Sequence, residues 1–294
     1  MIAAGIDYTE AGTGPTVICL HGIGGGCDSF LAQMPVVDGF APPLASRQAG
    51  GRCPPAPPQD IYEQKKGAGC GLAGYRVISW NMPGYGGSVA GHEPLDFASL
   101  SRALARFIAA LGPGSVHLVG QSIGGMIALD HALRCPDQVA TLSLIGTTPS
   151  FGGRDPGFSE AFLSARLAPL EAGQTMAEMA ADSAPRIVGP AADAATIAQI
   201  SAIMAQVSEQ TWRGILNCLV TFNRRADLAR VQQPCCLIAG SHDQNAPART
   251  MEKMAAILPA AEYHLIEGAG HMINQEAPAQ TNAILMEFLG KNTI

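Results

Sequence analysis

Three side chains in this sequence have the types and settings that acyl transfer needs. Ser122 sits in Gly120-Gln121-Ser122-Ile123-Gly124, Asp243 in Gly240-Ser241-His242-Asp243, and His271 in Gly268-Ala269-Gly270-His271. A serine hydroxyl is a poor nucleophile near neutral pH. It needs a base within hydrogen-bond reach, and the base needs a group to orient it. His271 is the candidate base and Asp243 the candidate orienting acid. A serine at a sharp strand-to-helix turn needs small neighbours, which Gly120 and Gly124 supply. Two backbone amides are candidate oxyanion donors. One is that of Ile123, at the start of the helix after the serine. The other is that of Ile23, in the loop His21-Gly22-Ile23-Gly24-Gly25-Gly26, where glycines let the backbone approach a ligand closely. His21 is read as a brace for that loop, not as a base.

The remaining histidines fit the base role less well. His117 and His264 fall within expected strands, His131 well along a helix, and His92 on a loop before one. His242 shares the Asp243 loop, but Asp243 is the better partner for a base. The other position open to the acid reads Gly146-Thr147-Thr148 and carries no carboxylate. Met126 and Trp212 are candidate pocket residues, with Met176, Met179 and Met204 as further candidates for an apolar cavity. Each could equally be packing. Arg154, Arg166, Arg186 and Arg213 are candidates for a substrate carboxylate, against the alternative of solvated surface positions. No paired Cys-x-x-Cys set is present, so no metal site and no cofactor is expected.

The elements that must position these residues alternate between strand and helix. Short apolar runs at 6–9, 16–20, 75–80, 116–119, 139–146, 235–239 and 262–266 read as strands. Helices are expected from Asp28 to Val37, Phe97 to Leu111, Ile123 to Leu133, after Pro247, and from Pro278 to Leu289. Phe97, Leu100, Leu104, Phe107, Ile108 and Leu111 recur at helical spacing. Strands alternating with helices predict a mostly parallel sheet with helices on both faces. The candidate residues then fall on loops at the carboxyl ends of strands, where open α/β sheets place their sites.

Two stretches interrupt this alternation. Residues 38–74, with Pro42-Pro43, Pro54-Pro55 and Pro57-Pro58, have little periodicity and are expected to form an irregular surface excursion, dispensable for the chemistry. Residues 149–224 read as several short helices and are expected to be a cap roofing the site. The domain reading is therefore an α/β core of 1–148 and 225–294 with a helical cap, 149–224, inserted after the sixth strand.

Length, charge and composition narrow the class. The chain has 294 residues, 47% hydrophobic and 14% charged, and a formal net charge of -6. That fits one large α/β domain with an insertion and gives no basic footprint for nucleic acid or an anionic membrane. No apolar run approaches the roughly 20 residues of a membrane span. The N-terminal residues lack a basic stretch followed by an apolar core, so no secretory signal is read there. Eight scattered cysteines, several in apolar strands, are expected to be reduced thiols in a cytoplasm.

With these residues placed, the chain resembles the α/β-hydrolase superfamily, in the Ser-His-Asp branch that includes 3-oxoadipate enol-lactone hydrolases and related esterases. The resemblance covers about residues 5–37 and 75–294. It rests on Leu20-His21-Gly22-Ile23-Gly24-Gly25, on Trp80 to Ser88, on Gly120 to Gly125, on Gly240 to Asp243, and on Ala269 to Pro278, together with the chain order Ser122, Asp243, His271. It implies a serine hydrolase cleaving a carboxylic ester or enol-lactone through an acyl-enzyme. The small-molecule ester or lactone would be the partner, with no cofactor, nucleic acid or membrane. The alternatives are a carbon–carbon bond hydrolase of meta-cleavage-product type, which usually has Asn where this chain has Gln121, a cofactor-free haloperoxidase-like activity with the same triad, and a non-catalytic small-ligand receptor. An Asp-nucleophile branch would need Asp at position 122. Two departures stand out. The family usually has Asp where this chain has Asn81, which is expected to loosen a loop. The 38–74 segment has no counterpart in the usual pattern.

Overall fold

The computed structural model describes residues 1–35, 71–91, 95–152 and 157–293. Most of the Pro/Gly-rich insertion, His92 and Arg154 lie outside the described residues.

Eight strands form one sheet: β1 (Ile2–Ala3), β2 (Ile6–Ala11), β3 (Thr16–Leu20), β4 (Arg76–Trp80), β5 (Val116–Gln121), β6 (Val139–Ile145), β7 (Cys235–Gly240) and β8 (Ala261–Ile266). Their order is β1-β2-β4-β3-β5-β6-β7-β8. β1 pairs with β2 and β2 with β4 in antiparallel fashion; every pairing from β4 to β8 is parallel. β1 was not legible in the sequence, since two residues carry no periodicity.

Side chains on the central strands divide by parity, as the two-residue period of a strand demands. Ile18, Leu20, Ile78, Leu118, Leu142, Leu144 and Leu237 belong to one core, whereas Val17, Cys19, Val77, Val119, Ile145, Cys236 and Ile238 belong to the other. Both faces are therefore covered, and β5 and β7 are buried along their whole length.

The helices are α1 (Phe97–Leu111), α2 (Ile123–Arg134), α3 (Phe158–Glu171), α4 (Met176–Ile187), α5 (Ala194–Met204), α6 (Glu209–Leu219), α7 (Ala248–Ala255), the single turn α8 (Ile273–Glu276) and α9 (Pro278–Lys291). α1 starts at Asp96, whose carboxylate accepts the Ser99 amide at 2.6 Å. It buries Phe97, Leu100, Leu104, Phe107 and Ile108, each contributing ~1.5–3 kcal/mol by leaving water. α1 and α2 cover the first core; Leu285, Phe288 and Leu289 of α9 help to fill the second.

One expected helix is corrected. Of the helix expected from Asp28 to Val37, positions 36 and 37 lie outside the described residues, and in place of its first part Cys27–Gln33 forms tight 3-10 turns interrupted at Phe30 (φ −115°, ψ 19°). Tertiary bonds hold this segment. The Gln33 side chain donates to the Asn274 carbonyl and to Asn282 Oδ1, and the Gln33 carbonyl accepts the Leu72 amide.

Helices α3 to α6 lie between β6 and β7. The ends of this stretch are tied together: Ser150 bridges Asn223, the Phe151 amide donates to the Phe222 carbonyl at 2.8 Å, and the Arg224 amide to the Pro149 carbonyl at 2.8 Å. No helix among the described residues is long and apolar enough to cross a membrane.

Candidate active site

The connection from β3 to β4 runs to one side of β3, while β5 pairs on its other side. At such a switch of direction the loops leaving two adjacent strands diverge and open a crevice at their carboxyl ends. The loop after β3 holds Ile23, and the loop after β5 holds Ser122.

Ser122 has φ 56° and ψ −122°, a conformation costly for a residue with a Cβ. The fold holds it there. The Ser122 amide donates to the Ile145 carbonyl at 2.9 Å, and the Ser122 carbonyl accepts the Thr147 hydroxyl at 2.7 Å. A Cβ at Gly124 would collide with the Leu20 carbonyl, and one at Gly120 with the Gly124 carbonyl. The glycines flanking the serine are thus required by close backbone approach.

The three sequence-predicted side chains meet. His271 Nε2 lies 3.0 Å from Ser122 Oγ, and His271 Nδ1 lies 2.8 Å from Asp243 Oδ2. Asp243 is 3% exposed. Its Oδ1 accepts the amides of Asn245 at 2.8 Å and Ala246 at 2.9 Å. Burial alone would raise its pKa. The charge and hydrogen bond of His271, with these two amides, outweigh burial and hold the carboxyl below its ordinary range. Because an ionised carboxylate only accepts, His271 must carry its proton on Nδ1, which leaves Nε2 to accept from Ser122. Gly146, at φ 51°, stands where its missing Cβ would lie 3.1 Å from Asp243 Oδ2, so the position that lacks a carboxylate in sequence gives room to the one that is present.

The His271 loop is held by groups that sequence reasoning did not single out. Glu276, on α8, accepts the amides of Gly189, Gly270 and Met272 at 2.7–2.8 Å. The His271 amide donates to the Ile187 carbonyl at 2.7 Å, and the His271 carbonyl accepts Gln121 Nε2 at 2.9 Å. Glu276 and Gln121 lie in the motifs that carry the resemblance, but their roles depend on where the chain returns.

The amides of Ile23 and Ile123 donate to no protein acceptor among the described residues. Ile23 lines the cavity, while the Ile123 side chain is buried in the core. His21 is the expected brace: Nδ1 bonds the Gly22 carbonyl at 2.8 Å and Nε2 accepts the Met82 amide at 3.0 Å. Complete burial pushes its pKa down to about 4, so it is neutral. The Tyr85 hydroxyl donates to the Ile23 carbonyl at 2.7 Å. Asn81 does not loosen its loop. It accepts the Cys27 amide through Oδ1 at 2.8 Å and donates through Nδ2 to Asp7 at 2.9 Å, a pairing that a second carboxylate at 81 could not make.

Ser122 and His271 open onto a cavity of about 230 Å³. Met126, Trp212 and Met204 line it. Met179 packs into the core and Met176 against it. Trp212 Nε1 is buried and has no hydrogen-bond partner among the described residues. Of the arginines, Arg166 lines the cavity, Arg186 is exposed, and Arg213 pairs with Glu209 and Glu171. The aromatic lining residues Phe151, Phe158 and Phe162 were not anticipated. The other described histidines stand apart: His117 bonds Thr141, His131 bonds Ser101, His264 lies on β8, and His242 is exposed. No cluster of three or more metal-ligating side chains occurs among the described residues.

The fold and this constellation define a class. Residues 15–278 match the model of the alpha/beta hydrolase fold family, and the chain belongs to that family. Particular relatives follow. The chain is 31% identical over 215 residues to the pimeloyl-(acyl-carrier protein) methyl ester esterase of Aromatoleum aromaticum, covering 68% of this chain and 81% of that protein. It is 28% identical over 220 residues, 74% of this chain, to the dihydrolipoyllysine-residue acetyltransferase component of the acetoin cleaving system of Pseudomonas putida, and spans 57% of that relative's length. The enol-lactonase of Burkholderia xenovorans LB400 has the same fold, with a TM-score of 0.74 over 97% of this chain and 96% of that one, at 17% identity.

Proposed function

We propose that this protein is a serine hydrolase that cleaves a carboxylic ester or lactone through an acyl-enzyme. The observation that carries the reading is the unbroken relay from Asp243 through His271 to Ser122, at 2.8 and 3.0 Å. In this reading the helices of 149–224 form the cap, since Arg166, Ile187, Met204 and Trp212 from them line the cavity beside Ser122. The similarity to a methyl ester esterase supports an ester substrate. The free thiols among the described residues suit a cytoplasmic setting.

Ser122 Oγ attacks the substrate carbonyl as His271 Nε2 takes its proton. Asp243 holds the imidazole tautomer and stabilises the imidazolium. The Ile23 and Ile123 amides donate to the developing oxyanion, one such donor being worth about 3 kcal/mol. The imidazolium then gives its proton to the leaving alcohol. Water, deprotonated by His271, attacks the acyl-enzyme and returns Ser122. A lactone follows the same course, with the alcohol still tethered to the acyl group.

The test is intact-mass labelling with a fluorophosphonate, alongside turnover of p-nitrophenyl esters. Wild type should gain one adduct at Ser122. Ser122→Ala should gain none and lose about a millionfold in kcat while remaining folded. An unlabelled but folded wild type would point instead to a ligand receptor on this fold.

A further inference from the structure

The cavity carries an asymmetry of charge that the serine chemistry does not use. Among the described residues lining it there is no carboxylate, and one side chain that is always cationic, Arg166 of α3. Arg166 is half-buried. Its guanidinium lies over the Phe162 ring, 5.2 Å from the centroid, and Nη2 donates to Asn245 Oδ1 at 3.3 Å. Asn245, itself exposed, lies two residues after Asp243, so this bond reaches from α3 to the loop that carries Asp243. Among the described residues no acidic side chain pairs with it; Arg213, on α6, has both Glu209 and Glu171.

Cations withdrawn from water are ordinarily paired, because desolvation is costly and a neutral amide with a ring face compensates for only part of it. Burial accordingly pulls the Arg166 pKa below its ordinary value, yet a guanidinium stays charged. The planar fork of donors matches a carboxylate in a two-bond geometry. The same cavity is lined by the apolar side chains of Met126, Phe151 and Phe162 and by the Trp212 ring.

We propose that Arg166 is a specificity-determining residue that takes a carboxylate at the far end of the substrate, so that the preferred substrate is the ester of a chain carrying a free carboxylate rather than a wholly neutral ester. The substrate class rests on the serine-hydrolase reading; the anion site does not. A charge-assisted fork contact is worth about tenfold to a hundredfold in affinity or kcat/KM.

Two measurements test it. The first is kcat/KM for p-nitrophenyl hydrogen adipate against p-nitrophenyl methyl adipate, which differ by one negative charge. Wild type should favour the anionic ester at least tenfold. Arg166→Met should lower that ratio at least tenfold, and Arg166→Lys should restore part of it. A ratio near one in wild type, or one unchanged in Arg166→Met, overturns the proposal. The second is calorimetric binding of monomethyl adipate and dimethyl adipate to Ser122→Ala and to Ser122→Ala/Arg166→Met. The monoanion should bind the single variant at least tenfold more tightly than it binds the double variant, and the neutral diester should show no such difference. If neither ester is turned over by wild type yet this binding difference holds, the hydrolase reading fails and the anion site stands. Equal binding of the monoanion to both variants overturns the anion site.

Discussion

Asp243→Asn isolates the orienting role proposed for the acid, because the structure dictates how the new amide must sit. Oδ1 of Asp243 accepts two backbone amides, from Asn245 and Ala246, and Oδ2 accepts His271 Nδ1. An asparagine oxygen can replace only one of these atoms. Placed at Oδ2, it would turn its NH2 toward two backbone N–H groups, leaving the buried Ala246 donor without an acceptor at about 1–3 kcal/mol and the part-buried Asn245 donor at less. Placed at Oδ1, it keeps both bonds, so this orientation wins. Its NH2 then donates to His271 Nδ1, which fixes the proton on Nε2. An Nε2–H cannot accept the proton of Ser122, and the imidazolium also loses its counter-charge. The expected loss is about 10⁴-fold in kcat, near 5.5 kcal/mol. Because the backbone bonds survive, the urea midpoint should move little. The assay is kcat for p-nitrophenyl butyrate with the rate of fluorophosphonate labelling, both falling together. A loss below tenfold, with the variant folded, would refute the argument that Asp243 sets the tautomer.

Two further perturbations test other parts of the structure. Glu276→Gln replaces one carboxylate oxygen with a donor against the amides of Gly189, Gly270 or Met272, so stability to urea should fall by about 1–3 kcal/mol and kcat should fall more than KM rises; unchanged values of both would remove Glu276 from the support of the His271 loop. His21, His117 and His131 are buried, and desolvation pulls each from the ordinary 6.5 down to about 4. Above pH 6.5 neither folded nor unfolded chain protonates them. Between 6.5 and 4 the unfolded chain binds protons that the folded chain refuses, so stability falls as pH falls, by up to about 1.4 kcal/mol per pH unit for each histidine. Urea midpoints should therefore drop steeply from pH 7.5 to pH 5, and equal midpoints would contradict the burial argument.

The sequence by itself determined the elements whose pattern is local. β5, α1 and α2 were legible because strand and helix periodicity reside within each run, and Gly120 and Gly124 mark a turn that no larger residue can make. The candidate site was legible for the same reason: Ser122, Asp243 and His271 each follow a strand, and parallel strands bring their carboxyl ends, and with them these three side chains, together. What depends on the meeting of distant segments was not legible. Cys27–Gln33 departs from a regular α-helix where Leu72, Asn274 and Asn282 take up the bonding groups of Gln33. Asn81 tightens its loop because Asp7, on another strand, faces it. Arg166 and Arg213 are the same residue type in the same helical stretch, and only the fold decides that one finds two glutamates while the other faces the cavity. Periodicity records which face of an element is buried. Which neighbour that face meets is a property of the assembled sheet and its inserted helices.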